Sequence, residues 1–199
     1  HMRPDGDCIG SQLAMAYALK NLGKKVTVFN QDDIPEKLAF LDPRNLLKGP
    51  VKARHYDCVI VTDCASYERM GTICDSVSRR NLLINIDHHG SNSRYGDINW
   101  VDPKSASSGE LVFQLFKQAN WPITPQIANC LFTAISTDTG SFQYPSTRPT
   151  TYHAAAELVN KGADLAKICS EVYQSYPLSR VRLQKHMYNN FKLMQNNQI

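Results

Sequence analysis

The residues whose types and spacing could do chemistry begin at 81–90, which read N-L-L-I-N-I-D-H-H-G. Leu82, Leu83, Ile84 and Ile86 make a nearly continuous apolar run, the pattern of a strand buried on both faces in a parallel sheet between helices. The run stops at one carboxylate and two imidazoles, Asp87, His88 and His89. They fall at the strand's carboxyl end, the edge at which open α/β sheets bind ligands. Successive side chains on an extended chain point to opposite sides, so His88 and His89 are expected to diverge, one toward a metal and the other toward a substrate. The plain alternative for the triplet alone is a polar loop after a buried strand.

Three further stretches carry the same residue types. His1-Met2-Arg3-Pro4-Asp5-Gly6-Asp7 gathers one imidazole and two carboxylates in a segment bent by Pro4 and Gly6, which can turn hard oxygen ligands and one nitrogen inward together. Turn carboxylates, and a tag remnant at His1, are the bland readings. Asp63 ends a second apolar run, Asp57-Cys58-Val59-Ile60-Val61-Thr62, and taken alone reads as a helix cap. Asp138 lies in Thr137-Asp138-Thr139-Gly140-Ser141, where local capping is the ordinary explanation. As a set, His1, Asp5, Asp7, Asp63, Asp87, His88, His89 and Asp138 are oxygen-rich with a minority of imidazole. Such a set suits Mn²⁺ or Mg²⁺ better than zinc-thiolate chemistry, and it is large enough for two ions.

Composition narrows the class. The chain has 199 residues, 42% of them hydrophobic, which suffices for a real core. No apolar run approaches the roughly 20 residues that cross a bilayer, and no signal peptide is present, so a soluble protein is expected. The six cysteines contain no C-x-x-C pair, which argues against a disulfide framework or zinc-thiolate site and for a reducing cytoplasm. A net charge of +4 without a Lys/Arg run permits anionic substrates but marks no nucleic-acid tail.

The elements that must position these residues follow from pattern. Gly10 and Ser11 are expected to open an amphipathic helix through Leu22, with Gly23 as its stop. Val26 to Phe29 reads as a strand, 32–54 as loop, and Cys64 to Ser66 as the start of a helix. Ser91 to Pro103 reads as a polar loop, and Ser107 and Glu110 have the spacing of a capping box at the head of a helix. Gln126 to Thr137 reads as a buried helix. Three helical segments, Thr151–Lys161, Asp164–Gln174 and Pro177–Gln195, complete the chain, with a polar tail at Gln195–Gln198. His55, His153 and His186 read as ordinary histidines. The fold expected is α/β, a Rossmann-like parallel sheet flanked by helices over 1–149, followed by an α-helical linker over 150–199.

Four motifs in this order resemble the DHH phosphoesterase superfamily: H-M-R-P-D-G-D-C-I-G-S, V-T-D-C, D-H-H and T-D-T-G. The first motif's wording, the A-S-S-G-E-L helix start and the S-F-Q-Y-P stretch resemble its RecJ-like branch of nanoRNases and 3′-phosphoadenosine 5′-phosphate (pAp) phosphatases. The resemblance implies that His1, Asp5 and Asp63 hold one divalent ion and that Asp7, Asp63, His88 and Asp138 hold a second, with Asp63 as the bridge. It implies two Mn²⁺, with Mg²⁺ as second choice. Asp87 would orient the ligands, His89 would act on the phosphate, and Arg3 would assist in binding it. The activity implied is hydrolysis of short single-stranded RNA or DNA oligonucleotides to mononucleotides, together with pAp dephosphorylation, by a cytoplasmic homodimer that touches no membrane. The alternatives are a manganese pyrophosphatase, a cyclic-dinucleotide phosphodiesterase, or a non-catalytic nucleotide- or metal-binding module. The family also has a strand before the first motif and a substrate-binding DHH-associated domain after the linker, and both are expected to lie outside this chain, which would leave the fragment inactive alone.

Overall fold

The computed structural model describes residues 1–50, 52 and 54–192. The expected polar tail at Gln195–Gln198 lies outside the described residues, and the last helix, expected to run to Gln195, ends at Asn190, where Phe191 turns extended. The order is α1 (Gly6–Asn21), β1 (Val28–Phe29), β2 (Leu47–Lys48), β3 (Val59–Thr62), α2 (Ile73–Ser76), β4 (Leu83–Asp87), β5 (Ile98–Val101), α3 (Ser108–Gln118), α4 (Pro125–Asp138), α5 (Pro149–Asn160), α6 (Leu165–Cys169) and α7 (Leu178–Asn190). Every strand pairing is parallel, and helices cover the sheets, so the α/β reading holds.

The parallel arrangement comes in two pieces, one of β1–β2 and one in the order β3–β4–β5. A cavity of about 890 Å³ is lined by residues of both pieces, among them Val28, Asn30, Val59 and Val61, together with Met15 and Ile73. Two strands belong to stretches read as loop. β2 has only two residues, too short for periodicity to register. β5, inside the stretch expected to be polar loop, is an edge strand of four residues whose Ile98 is exposed. It is anchored partly by Asp97, whose carboxylate accepts the Leu83 N–H at 2.7 Å.

Helix α1 starts earlier than Gly10. Asp5 is its N-cap, accepting the Cys8 N–H at 3.0 Å, so Asp7 sits in its first turn. The helix is also not amphipathic. Twelve residues between Gly6 and Ala18 are buried, because α4 packs along one side and the strands close the other. Close approach to α4 depends on Gly10, where a Cβ would stand 2.4 Å from the Cys130 carbonyl oxygen and 2.8 Å from the Ala134 Cβ. Gly23, at φ +76°, ends the helix as expected.

Helices α5 and α6 contribute Ala154, Ala155, Leu158 and Ile168 to the same core as α1 and α4. Helix α7 buries none of its residues. Among the described residues, no helix is long and apolar enough to cross a membrane.

Gly10→Ala is expected to lower unfolding free energy by about 1–3 kcal/mol, the usual cost of overpacking, because the obstructing atom is main chain and cannot rotate away. Urea denaturation measures this; a loss under about 0.5 kcal/mol would show that α1 and α4 separate freely.

Candidate metal centre

Strands β3 and β4 are neighbours in register, Thr62 opposite Ile86, so the residues that leave them emerge side by side. Asp63 follows β3 in the left-handed region, φ 58°, a conformation Asp adopts more readily than most residues. The reading of Asp63 as a cap is corrected: the next turn, Tyr67–Met70, is a 3₁₀ helix with Ser66 in the N-cap position. Asp63 is instead 3% exposed and points into the space between α1, β4 and α3. Ser11 on α1 ties the strand end down by donating to the Thr62 hydroxyl at 2.9 Å.

His88 lies at the centre of the cluster. Its Nε2 is 3.2 Å from Asp138 Oδ2, 3.7 Å from Asp63 Oδ1 and 3.9 Å from Asp7 Oδ2. His89 does not diverge from it. The rings are 4.6 Å apart, and His89 Nδ1 comes within 3.8 Å of the same Asp63 oxygen. The alternation expected of an extended chain fails because β4 ends at Asp87, before either histidine.

Two groupings have ligand atoms close enough to share an ion: Asp63, His88 and His89, and Asp7, His88 and Asp138. The residue common to both is His88. His1 and Asp5 contribute no atom to either grouping, although His1 is buried and its Nδ1 has no hydrogen-bond partner. His88 Nε2 is likewise buried without a hydrogen bond. Two orphaned imidazole nitrogens beside clustered carboxylates fit a donor set for divalent cations. Asp138 adds to this: it is the last residue of α4, where the helix dipole disfavours an anion and local capping gives no reason for a carboxylate. Arg3 is exposed in the loop before α1, its N–H donating to Asp32 at 2.6 Å.

The electrostatics divide the carboxylates. Burial, then the Asp138 charge, pushes Asp7 well above the ordinary carboxylate range. Burial, then Asp7, does the same to Asp63, and burial raises Asp138. Asp87 behaves oppositely. Burial opposes its ionisation, but hydrogen bonds from His89 and Asn92 overcome that and hold it below the usual value. Its Oδ1 pairs with His89 Nδ1 at 2.7 Å and its Oδ2 accepts from Asn92 at 2.5 Å, while Asn92 also donates to Asn85 at 2.8 Å. The Asp87 partner in turn raises the His89 pKa.

Sequence reasoning missed the amides that hold Asp7. The N–H groups of Ser108 and Gly109 donate to its two oxygens at 2.7 and 2.8 Å, and the Ser108 hydroxyl donates to Asp63 at 3.1 Å. Gly109 permits this approach, since a Cβ there would meet Ala134 Cβ at 2.4 Å. The capping-box reading of this segment is half right. Ser107 caps the Glu110 N–H at 3.0 Å, but Glu110 bonds the Ala106 N–H at 3.1 Å and Thr151 at 3.0 Å instead of returning to Ser107. Two adjacent small residues after the cap were the only available signal. Asn92 lay in a stretch read as loop and gave none.

Two outcomes follow from this geometry. Asp63→Asn is isosteric and tolerates the left-handed backbone, so it removes only the charge. Asp63 has a raised folded pKa, so its penalty is absent below the unfolded value of about 3.8, builds as pH rises from there to the raised one, and is constant above it. The metal-free variant should therefore melt above the parent by a margin that widens as pH rises from about 4 and then levels off; a margin constant from pH 4 upward would contradict the buried repulsion. Separately, Ser107→Ala should cost about 0.5–2 kcal/mol of stability as a lost cap. Ser108→Ala should instead weaken Mn²⁺ binding about 10- to 100-fold in calorimetric titration, as expected when a ligand-orienting partner is lost. Equal effects of the two serines on metal affinity would contradict the assignment.

The chain is 36% identical over 184 residues to the bifunctional oligoribonuclease and PAP phosphatase NrnA of Thermus thermophilus, covering 92% of this chain and 55% of that one. The Bacillus subtilis protein of the same name is 28% identical over 199 residues, covering 98% and 62%. The fold matches an exopolyphosphatase-related protein from Bacteroides fragilis with a TM-score of 0.85 and 29% identity, over 96% of this chain and 59% of that one. The chain thus spans a little over half the length of these relatives. Residues 1–135 match the N-terminal domain of the DHH family, and with its four carboxylate- and histidine-bearing motifs converging on one site, the chain belongs to that family.

Proposed function

We propose that this chain carries the metal-dependent catalytic centre of a phosphoesterase that hydrolyses short oligoribonucleotides to mononucleotides and removes phosphate from pAp. The observation that carries the proposal is His88, whose orphaned Nε2 stands among Asp7, Asp63 and Asp138. The printed activities of the Thermus and Bacillus relatives supply the substrate class.

In this reading Asp7, Asp63, His88 and Asp138 hold one divalent ion, and His1, Asp5 and Asp63 a second. The oxygen-rich set favours Mn²⁺, with Mg²⁺ second. Bound ions of this kind lower the pKa of a water and neutralise charge on the attacking and leaving oxygens of an in-line displacement. The chain's own contribution is orientation. Asp87 takes one nitrogen of His89 and fixes the half-exposed ring, leaving the other nitrogen to donate to a phosphate oxygen. Asn92 locks Asp87 from behind, and the amides of Ser108 and Gly109 aim Asp7 and partly offset the burial that opposes its ionisation. Arg3, on the exposed rim, adds a positive charge for the phosphate. The free cysteines among the described residues accord with a reducing compartment such as the cytoplasm.

Calorimetry should find two Mn²⁺ per chain, and Asp63→Asn should abolish at least one site. With ions bound, a panel of dinucleotide, pAp, pyrophosphate and cyclic di-AMP should show cleavage of the first two, and His89→Ala should lower kcat about 10²–10³-fold while leaving metal binding intact. Full metal loading with no hydrolysis of dinucleotide or pAp would sink the proposal.

A further inference from the structure

Immediately after Asp138 the backbone enters the left-handed region at three consecutive residues, Gly140 at φ 57°, Ser141 at 58° and Phe142 at 65°. For Phe in particular this conformation is costly, and it persists only where the surroundings enforce it. Here they do. Buried Thr139 accepts the Gln143 and Tyr144 N–H groups on its carbonyl at 2.9 and 3.0 Å and the Phe142 N–H on its hydroxyl at 3.0 Å, while Ser141 N–H donates to Ser136 at 2.7 Å. The Phe142 ring is held between Phe132, with centroids 5.8 Å apart, and Tyr152, stacked at 5.6 Å.

The outcome of this enforced turn is the placement of one ring. The Tyr144 ring packs against Gly140, so close that a Cβ at Gly140 would stand 2.5 Å from its Cε1 and Cζ atoms. Yet Tyr144 is 57% exposed. Gly140 is two residues from Asp138, at most about 7 Å along the chain. An exposed aromatic ring packed on Gly140 is therefore within one nucleotide's reach of the carboxylate that faces His88. An aromatic face accepts any base by stacking, without reading its edges.

We propose that Tyr144 is the stacking platform for the nucleobase of the nucleotide whose phosphate sits at the Asp138–His88 centre. The proposal rests on the nucleotide-hydrolase reading above. It would give the site affinity for nucleotides of every base while leaving the metal ligands untouched.

The test compares adenosine 5′-monophosphate with ribose 5-phosphate, which lacks only the base, as ligands of the Mn²⁺-loaded chain by calorimetry. The parent should prefer the nucleotide by about 5- to 100-fold, the range for one base stacked on an aromatic ring. Tyr144→Leu, which still covers Gly140 but has no π face, should erase the preference, and Tyr144→Phe should keep it. Melting temperature and Mn²⁺ affinity should not move in either variant. Equal affinity of the parent for the two ligands, no binding of either, or a preference that survives Tyr144→Leu would each overturn the proposal. Dinucleotide cleavage accompanied by any of these results would leave the hydrolase reading standing and remove only the platform.

Discussion

The structure depends on burying two carboxylates, Asp7 and Asp63, side by side in a place from which water is nearly excluded, at 1% and 3% exposure. Burial of a lone carboxylate costs several kcal/mol, and two side by side cost more. The protein offsets part of that penalty with oriented dipoles. The first turn of α1 surrounds Asp7 from its own chain, and the first turn of α3 gives it two N–H donors from more than a hundred residues away. These donors demand that α3 and α1 approach closely, which Gly109 allows, and that α1 lie tight on α4, which Gly10 allows. The remaining penalty is what a divalent cation would relieve, so the same groups that destabilise the metal-free chain create its affinity for the ion.

A third buried aspartate is arranged on the opposite principle. Asp87 is fully buried but surrounded by donors, His89 on one oxygen and Asn92 on the other, with Asn85 and the Tyr95 hydroxyl extending the network beneath. Satisfied in this way, it stays ionised without a metal and orients a histidine. The metal set and the orienting set thus share the end of one strand, separated by which lone pairs are already occupied.

Backbone strain is placed with the same economy. Asp63 takes a left-handed conformation where β3 stops, and 140–142 do so where α4 stops. Each turns the chain abruptly at the rim of the site, and each is held by hydrogen bonds from buried groups, Ile86 O for the Asp63 N–H and Thr139 for the later turn. Gradual turns would have carried these residues away from the ions they are proposed to serve.

The sequence by itself determined the family and the α/β class, and it singled out the carboxylates and imidazoles that the structure brings together, though also His1 and Asp5, which join neither grouping, because buried strands leave continuous apolar runs and their polar ends stand out against them. It also placed α4 within a residue or so, since a long buried helix has a strong period. What it could not supply were facts of long-range contact. That His88 and His89 converge, that Glu110 reaches Thr151, that β5 is a strand, and that Ser108, Gly109 and Asn92 support the site all depend on segments brought together from distant parts of the chain. A hydrogen bond to a main-chain N–H leaves no trace in residue type, and an edge strand of four residues has too few positions to show its period. Only the tertiary structure, by deciding which helix terminus meets which carboxylate, turned a set of acidic and imidazole residues into a geometry.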